Sequence, residues 1–260
     1  MLENILPVGE LTTLARSRNR AFQTKSIHKK LVDDAVAKGW TVVKVGQATA
    51  KLQREKPLNQ FFIDRVWMLL YRMQFGLLSG DGGAHILLDP KRQDGPKNHI
   101  DVAGIDSELV LGIECVSAEK YSKRARIQEE ISSFIGIRER LSRAAAMHWP
   151  INHKRQTALL FFTYNINLSD SDREYAKHSN VLLFDERDLE YYEKLVAQIG
   201  PAAKYQFFAD MLPGKTVPGL EIKVPAVKTK MGPYNCYTFP ISPEYLLKIS
   251  YVSHRTKGKA

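Results

Sequence analysis

The chain has 260 residues, of which 44% are hydrophobic and 25% are charged, as is usual for a globular protein with a sizeable core. No apolar run is long enough to span a bilayer, so we expect no membrane partner, and the N-terminus lacks the pattern of a secretory signal. The formal net charge is +10 at pH 7. Excess positive charge favours binding to a polyanion, because bound phosphates release condensed counterions, but solvated helix faces would account for it equally well.

The cysteines, Cys115 and Cys236, form no paired spacing with each other or with histidines. We therefore expect no structural zinc site. The composition fits a protein of the reducing cytoplasm.

The first predicted element is a helix over residues 24–40, where apolar residues recur at helical spacing. A short strand is predicted at 41–46, and the basic stretch 51–57 is expected to be exposed. Residues 58–76 again show helical spacing, which predicts a buried helix.

Strands dominate the next part of the chain. We predict strands at 85–88, 99–105 and 108–116, and then a long helix over 118–148. The remaining predicted elements are a strand at 157–166, a helix at 169–179, a strand at 180–186 and helices at 187–200 and 202–212.

This alternation of strands and helices between about residues 85 and 212 predicts an α/β sheet packed between helices. We divide the chain into a small N-terminal extension (1–54), a central α/β domain (55–212) and a linker or basic arm rich in Pro, Gly and Lys (213–260).

Two carboxylates in the central domain carry the candidate chemistry. If Ser107 and Glu108 form a turn, Asp101 faces Glu114 across an antiparallel ladder, with Cβ atoms about 4.5–5.5 Å apart. Mg²⁺ or Mn²⁺ would suit two carboxylates and a backbone carbonyl, so we predict metal ligands at Asp101, Glu114 and Cys115. Such an ion polarises a phosphate and lowers the pKa of an attacking water.

An ordinary structural interpretation stays open for each residue. Asp101 can be a polar residue of a hairpin, Glu114 the partner of a nearby Arg or Lys, and Cys115 a buried small hydrophobic residue. His85 and His99 either flank the same site or are exposed loop histidines.

A lysine beside the two acids would stabilise charge in the transition state. The position two residues after Glu114 holds Val116 instead. We assign the catalytic cation to Lys120, which can reach back only if the strand ends early and the helix turns towards the site. Lys123 and Gln128 are weaker substitutes, and a solvated Lys120 is the alternative.

Four basic residues lie next to these strands and are candidate contacts to DNA. They are Lys97, Lys123, Arg124 and Arg126.

An acid on one strand, an acid on the next and a lysine just beyond is the pattern of the PD-(D/E)XK nuclease superfamily. "IDV" (100–102) and "IEC" (113–115) resemble its two acidic strands. The helix Phe62–Met73 resembles its first core helix, with Asp64 as an outer acid. The resemblance implies a restriction-endonuclease-like mixed β-sheet flanked by helices.

Segments across residues 38–255, most specifically "SPEYLLKISYVSHR" (242–255), resemble the N-terminal region of bacterial DGQHR-domain proteins. These proteins are related to the DndB-like proteins of DNA sulfur modification. In that family the segment leads into a ParB-like DGQHR domain, and no D-G-Q-H-R string occurs here. The resemblance therefore implies an excised or naturally shortened N-terminal part, with residues 213–260 starting a truncated DGQHR-type region.

Members of this family carry a nuclease-like domain with an E-C-K motif, matched here by Glu114, Cys115 and Val116, and often a glutamate near Ile63. Two catalytic positions thus differ from the family. An introduced substitution, a lysine that has migrated, or a nuclease fold kept only for binding would each explain this.

These features lead to two expected functions. The first is a Mg²⁺- or Mn²⁺-dependent DNA endonuclease of a bacterial DNA modification or phage-defence system. The second is a catalytically degenerate nuclease fold that serves as a DNA-binding or assembly module. DNA, a second copy of the chain or proteins of such a system are the expected partners.

Overall fold

The computed structural model of the protein describes residues 1–87, 96–122, 126–152, 154–211, 214, 216–217, 222–223, 227, 229–231 and 234–236. In chain order the strands are β1 (Leu2–Glu3), β2 (Ile5–Pro7), β3 (Phe22–His28), β4 (Thr41–Val45), β5 (Thr49–Glu55), β6 (Leu77–Ser79), β7 (Ala84–Leu87), β8 (Lys97–Ile100), β9 (Val102–Ile105), β10 (Leu109–Ser122), β11 (Gln156–Ile166), β12 (Val181–Phe184), β13 (Thr216–Val217), β14 (Ile222–Lys223), β15 (Thr229–Met231) and β16 (Tyr234–Cys236). The α-helices are α1 (Thr12–Arg18), α2 (Val32–Ala37), α3 (Leu58–Arg72), α4 (Ile127–Ile135), α5 (Arg138–His148), α6 (Asp170–His178), α7 (Glu186–Ile199) and α8 (Ala203–Met211).

The main sheet has six strands in the order β12-β11-β10-β9-β6-β2. Strand β10 pairs in parallel with β11, and β11 pairs in parallel with β12. On its other side β10 pairs antiparallel with β9, which continues the sheet through β6 and β2. Because the parallel strands are covered on both faces, their sequences are almost continuously apolar.

Helices cover both faces of this sheet. One core lies between the sheet and α3, α7 and α8, and a second core lies between the sheet and α4, α5 and α6. The predicted α/β class is confirmed: the protein has a mixed β-sheet flanked by helices on both faces.

Several predicted helices begin and end where local signals place them. Helix α3 follows Pro57, and α6 begins with a capping box between Ser169 and Asp172. A second capping box, between Asp185 and Asp188, starts α7, which ends at Gly200. In each box the side chains satisfy backbone N–H groups that have no partner in the first turn. No described helix is long and apolar enough to cross a membrane.

The predicted helix over residues 24–40 is wrong in its first half. Residues 22–28 form β3, which pairs with β5 in a separate three-stranded sheet, and α2 covers only Val32–Ala37. Strand β5 was predicted as an exposed basic stretch, but it is the centre of this sheet. Its side chains alternate between buried and exposed positions, since Ala50 and Leu52 are fully buried while Lys51 is exposed. The charged residues between them obscured the period of two.

The predicted helix over 118–148 is also wrong in part. Strand β10 continues through Ser122, in parallel pairing with β11 that contains one irregularity. The helical part is split into α4 and α5 at Gly136 and Ile137. Ser117 and Ser122 pair with β11 on either side of an irregularity at residues 118–121, and this pairing outweighs the helical preference of the segment, because tertiary contacts routinely override local propensity.

Candidate functional site

Asp101 lies where the chain passes from one sheet to another. Strand β8 belongs to a three-stranded sheet with β1 and β7, whereas β9 belongs to the main sheet. Asp101 is the residue between them. Asp101 therefore lies directly before β9, beside β10, instead of within a continuous strand.

The pairing of β9 with β10 brings Asp101 beside Glu114. Val102 pairs with Ile113, so the next position of the same antiparallel register aligns Asp101 with Glu114. The amide N–H of Cys115 donates a hydrogen bond to Asp101 Oδ2 at 2.9 Å. The carboxylate of Asp101 is therefore held at β10, in agreement with the predicted alignment.

Both acids line a cavity of about 480 Å³. Glu130, from α4, is a third acidic residue in its wall, and Asn59, from the first turn of α3, is another polar one. Among the described residues that line this cavity, none is a lysine or an arginine. The cavity is thus rich in oxygen ligands and lined by acidic side chains.

The electrostatics of the cavity disfavour a fully ionised state without a cation. Burial, followed by the charges of Asp101 and Glu130, raises the pKa of Glu114 to about 8. Burial also raises the pKa of Asp101, against the opposing effects of the Cys115 hydrogen bond and of His99. A bound cation would lower both pKa values, because an opposite charge nearby favours the carboxylate form.

The donor set fits a hard divalent cation. Carboxylate, carbonyl, amide and hydroxyl oxygens are available from Asp101, Glu114, Cys115, Asn59 and Ser117, which are ligands of the kind that Mg²⁺ and Mn²⁺ prefer. Within the described residues, no three His, Cys, Asp or Glu side chains come together as a ready metal cage. Mg²⁺ commonly uses one or two carboxylates and retains several waters, so the two strand acids suffice for it.

The Cys115 thiol lies in the hydrophobic core and not among the oxygen ligands of the cavity. It is buried in the core beneath α3, and burial, with the charges of Asp101 and Glu114, raises its pKa well above the usual value. A thiol with a raised pKa is a poor ligand and a poor nucleophile. Cys115 therefore behaves as a small hydrophobic residue, and only its backbone is available to a metal.

The position expected to hold a catalytic lysine is occupied by an apolar side chain. Val116 lines the cavity with Glu114 and is 7% exposed. Strand β10 does not end early, so the condition under which Lys120 could reach the site is not met. Lys120 is exposed, and it is not among the residues lining the cavity.

His99 is a cavity residue whose relevance the sequence indicated only weakly. Its Nδ1 lies 3.7 Å from Asp101 Oδ1, and its Nε2 lies 3.0 Å from the carbonyl oxygen of Gly82. The ring of His85 is 5.3 Å away on the paired strand. Of the two histidines, His99 is the one that lines the cavity.

Asp64, predicted as an outer acid of the site, lies in a buried ion cluster and does not line the cavity. Its carboxylate forms ion pairs with Arg18 at 2.9 Å and Lys56 at 2.6 Å, and it accepts a hydrogen bond from Gln60 at 2.9 Å. Helix α3 contributes Asn59 to the cavity instead. No local pattern identifies Asn59 or Glu130, because each reaches the cavity through packing between elements distant in sequence.

The candidate DNA contacts have mixed surroundings. Lys97 forms an ion pair with Glu3 at 2.8 Å, and Arg126 lies exposed, 3.8 Å from Glu129. Lys123 and Arg124 lie outside the described residues. Gln128, which was predicted only as a weaker substitute for the catalytic lysine, donates a hydrogen bond to Asp172 at 3.1 Å.

Similarity between this chain and known proteins is found among solved structures. No family model matches it, and no curated protein matches it. Among solved structures, protein VC1899 from Vibrio cholerae matches with a TM-score of 0.35 and 14% identity, covering 75% of this chain and 50% of that chain. Can2 from Sulfobacillus thermosulfidooxidans, in complex with cyclic tetra-adenylate, matches with a TM-score of 0.36 and 13% identity, covering 73% and 50%. The chain thus spans about half the length of each of these two proteins.

Proposed function

We propose that the protein is a Mg²⁺- or Mn²⁺-dependent DNA endonuclease of a bacterial DNA modification or defence system. The observation that carries the proposal is the convergence of Asp101 and Glu114 on one acidic cavity. The resemblance of the chain to nuclease-containing DGQHR-domain proteins supports the choice of DNA, as does the net charge of +10.

We assign a separate role to each polar residue of the cavity. Asp101 and Glu114 would hold the cation, and the Cys115 amide fixes the orientation of the Asp101 carboxylate. When bound, the cation supplies polarisation of the phosphate and acidification of a water. Asn59 and Ser117, whose Oδ1 and Oγ atoms lie 3.5 Å apart, complete the polar wall on the side of α3.

The test combines cation binding with plasmid cleavage. We expect calorimetry to detect Mg²⁺ or Mn²⁺ binding by the parent chain and by Asp34→Asn, an exposed acid that does not line the cavity. Binding should be lost in Asp101→Asn and in Glu114→Gln, and cleavage should be lost with it. Absence of cation binding by the parent chain would refute the proposal, as would cleavage that persists in chelator and in Asp101→Asn.

One observation favours a second candidate function. Val116 stands at the lysine position, and no described lysine or arginine lines the cavity. A nuclease fold without this cation would bind DNA but lack part of the transition-state stabilisation. The protein would then act as a DNA-binding or assembly module.

Val116→Lys distinguishes the two candidates. Restoring a positive charge beside the acids should raise the cleavage rate by about 10²-fold if the missing cation is the main defect. Val116→Gln is the matched control, since it has a similar length without the charge. If the parent chain cleaves DNA and neither variant cleaves faster, the result supports the endonuclease. If the parent chain does not cleave and only Val116→Lys gains activity, the result supports the binding module.

A further inference from the structure

The small sheet of β3, β5 and β4 has two different faces. On one face, Ala50 and Leu52 are buried against α2, with Trp40 packed beside them. The side chains of the other face point away from α2, and no described helix covers them. We call this the open face; it consists of Phe22, Thr24, Ser26, His28, Thr41, Lys44, Thr49, Lys51, Gln53 and Glu55.

A β-bulge places Lys44 on the open face. Thr41 pairs with Gln53 and Val42 with Leu52, but the next pair joins Lys44 to Lys51, which leaves Val43 as an extra residue. In a regular ladder Val43 would lie opposite Lys51, and Lys44 would be directed towards the helix side. The bulge therefore turns a lysine from the covered face to the open one, which is a common use of bulges near functional sites.

The pair that results is unfavourable in the protein alone. Lys44 and Lys51 lie directly opposite each other, and like charges in that arrangement destabilise a sheet. Both side chains are exposed, and neither forms an ion pair with a described residue. An anion lying across the two strands would reverse the sign of this contribution.

The rest of the open face supplies hydrogen-bond donors in rows. Ser26 flanks Lys51 on the side away from Lys44, so these three side chains lie side by side across the sheet. Thr24, Gln53 and Thr41 form the adjacent row. The acid of this face, Glu55, lies beside Phe22 at one end. Lysines, hydroxyls and amides are the groups that contact phosphate and sugar in protein–DNA complexes.

We propose that the open face binds the backbone of duplex DNA. Single-stranded nucleic acid is usually held by several stacked aromatic rings, and this face offers Phe22 at its edge only. The choice of DNA as the polyanion rests on the proposed function, whereas the position of the surface rests on the sheet.

The experiment measures the binding of the full chain to a fluorescein-labelled duplex of about 30 base pairs, between about 50 and 300 mM salt. Lys44→Gln/Lys51→Gln should weaken binding at least tenfold at the lower salt concentrations. Because each phosphate contact contributes about 0.9 to the slope of log affinity against log salt, the slope should become shallower by about 2. The control Lys38→Gln/Lys154→Gln removes two exposed lysines elsewhere and should change the affinity less than threefold.

Lys51→Glu separates loss of contact from loss of folding. It converts the like-charge pair into an attractive pair, so thermal stability should be equal to or greater than that of the parent chain. DNA affinity should nevertheless fall further than in Lys51→Gln. Opposite changes in stability and affinity cannot arise from misfolding.

Three outcomes would overturn the inference. They are an unchanged affinity in Lys44→Gln/Lys51→Gln, no affinity of the parent chain for the duplex at low salt, and tighter binding of a single-stranded RNA of equal length. Calorimetry of the cation site tests the nuclease proposal separately. Loss of cation binding with intact DNA binding would remove the nuclease and leave the open face in place.

Discussion

Glu114 is the residue whose protonation most directly links the cavity to stability. Its pKa in the folded protein is raised to about 8, from an ordinary value of 4.5, chiefly by burial. Because the folded state holds this proton more tightly than the unfolded state, the stabilisation is complete below pH 4.5 and is lost as the pH rises through about 8. The contribution of Glu114 should therefore make the chain without added metal less stable at pH 9 than at pH 6.

We predict that Glu114→Gln removes this dependence. Relative to the parent chain, its free energy of unfolding should rise by at least about 1 kcal/mol more at pH 9 than at pH 6, since one pKa unit corresponds to about 1.4 kcal/mol. Urea unfolding in chelator at the two pH values measures the difference. Glu119→Gln, an exposed acid of the same strand, serves as the control. Parallel pH profiles for Glu114→Gln and the parent would contradict the burial argument.

At this scale the sequence identified the two strand acids but not their neighbours. Asp101 and Glu114 could be paired from the short turn between β9 and β10, because register follows from a hairpin connection. His99 was left undecided, and Glu130 and Asn59 were missed. Their contributions depend on where α3, α4 and β8 pack, and no short-range pattern encodes that.

At the scale of elements, a buried ion cluster joins α1 to α3. Asp64 on α3 contacts Arg18 of α1 and Lys56, and the Arg18 and Asp64 side chains are both 4% exposed. Arg18 also donates a hydrogen bond to the carbonyl of Gly80 at 3.2 Å. The cluster thus connects the N-terminal segment with the helix that covers the main sheet.

We predict that Asp64→Ala destabilises the protein by about 3–5 kcal/mol, because removing one partner leaves buried charges uncompensated. Urea unfolding followed by circular dichroism measures the loss. Glu10→Ala, an exposed acid of the same N-terminal region, should change the stability by less than about 0.5 kcal/mol. A loss below about 1 kcal/mol in Asp64→Ala would mean that Arg18 and Lys56 find solvent when the carboxylate is removed.

The elements that sequence patterns predicted well are those with strong local signals. Helices α3, α6 and α7 combine apolar periodicity with caps, and β11 and β12 are continuous apolar runs. Strands β3 and β5 were missed because they belong to a small sheet with one open face. Polar residues on that face weaken the apolar signal, and pairing between strands supplies the stability that propensity does not.

For the whole molecule, a cation in the acidic cavity should stabilise the folded state. A ligand that binds only this state adds about 2.7 kcal/mol at 100 times its dissociation constant. For a chain of this size, about 1 kcal/mol corresponds to a change in Tm of about 2–4 °C. We therefore expect saturating Mg²⁺ or Mn²⁺ to raise the Tm of the parent chain by about 5–10 °C.

This shift should be larger at pH 8.5 than at pH 6.5, because the cation must displace the proton of Glu114. Differential scanning calorimetry with and without the metal measures it, with sodium chloride at matched ionic strength as the control. The Asp101→Asn and Glu114→Gln variants should show little or no shift. An equal shift in parent and variants would place the cation elsewhere on the molecule.

The sequence by itself determined the features that depend on neighbours along the chain. These are the α/β class, the capped helices, the buried parallel strands, the pairing of the two acidic strands and the excess of positive charge. Side-chain periodicity and turn chemistry are local, so they can be recognised without knowing the fold. Asp101 and Glu114 were identified from such local patterns.

Tertiary structure decided what depends on contacts between distant segments. It set the switch between sheets at Asp101, the acidic wall completed by Glu130, the buried environment of Asp64, and the bulge that turns Lys44 towards Lys51. Each of these results from packing or register, in which a shift of one residue moves a side chain to the opposite face. For that reason the nature of the cavity and of the open face emerged only from the folded protein.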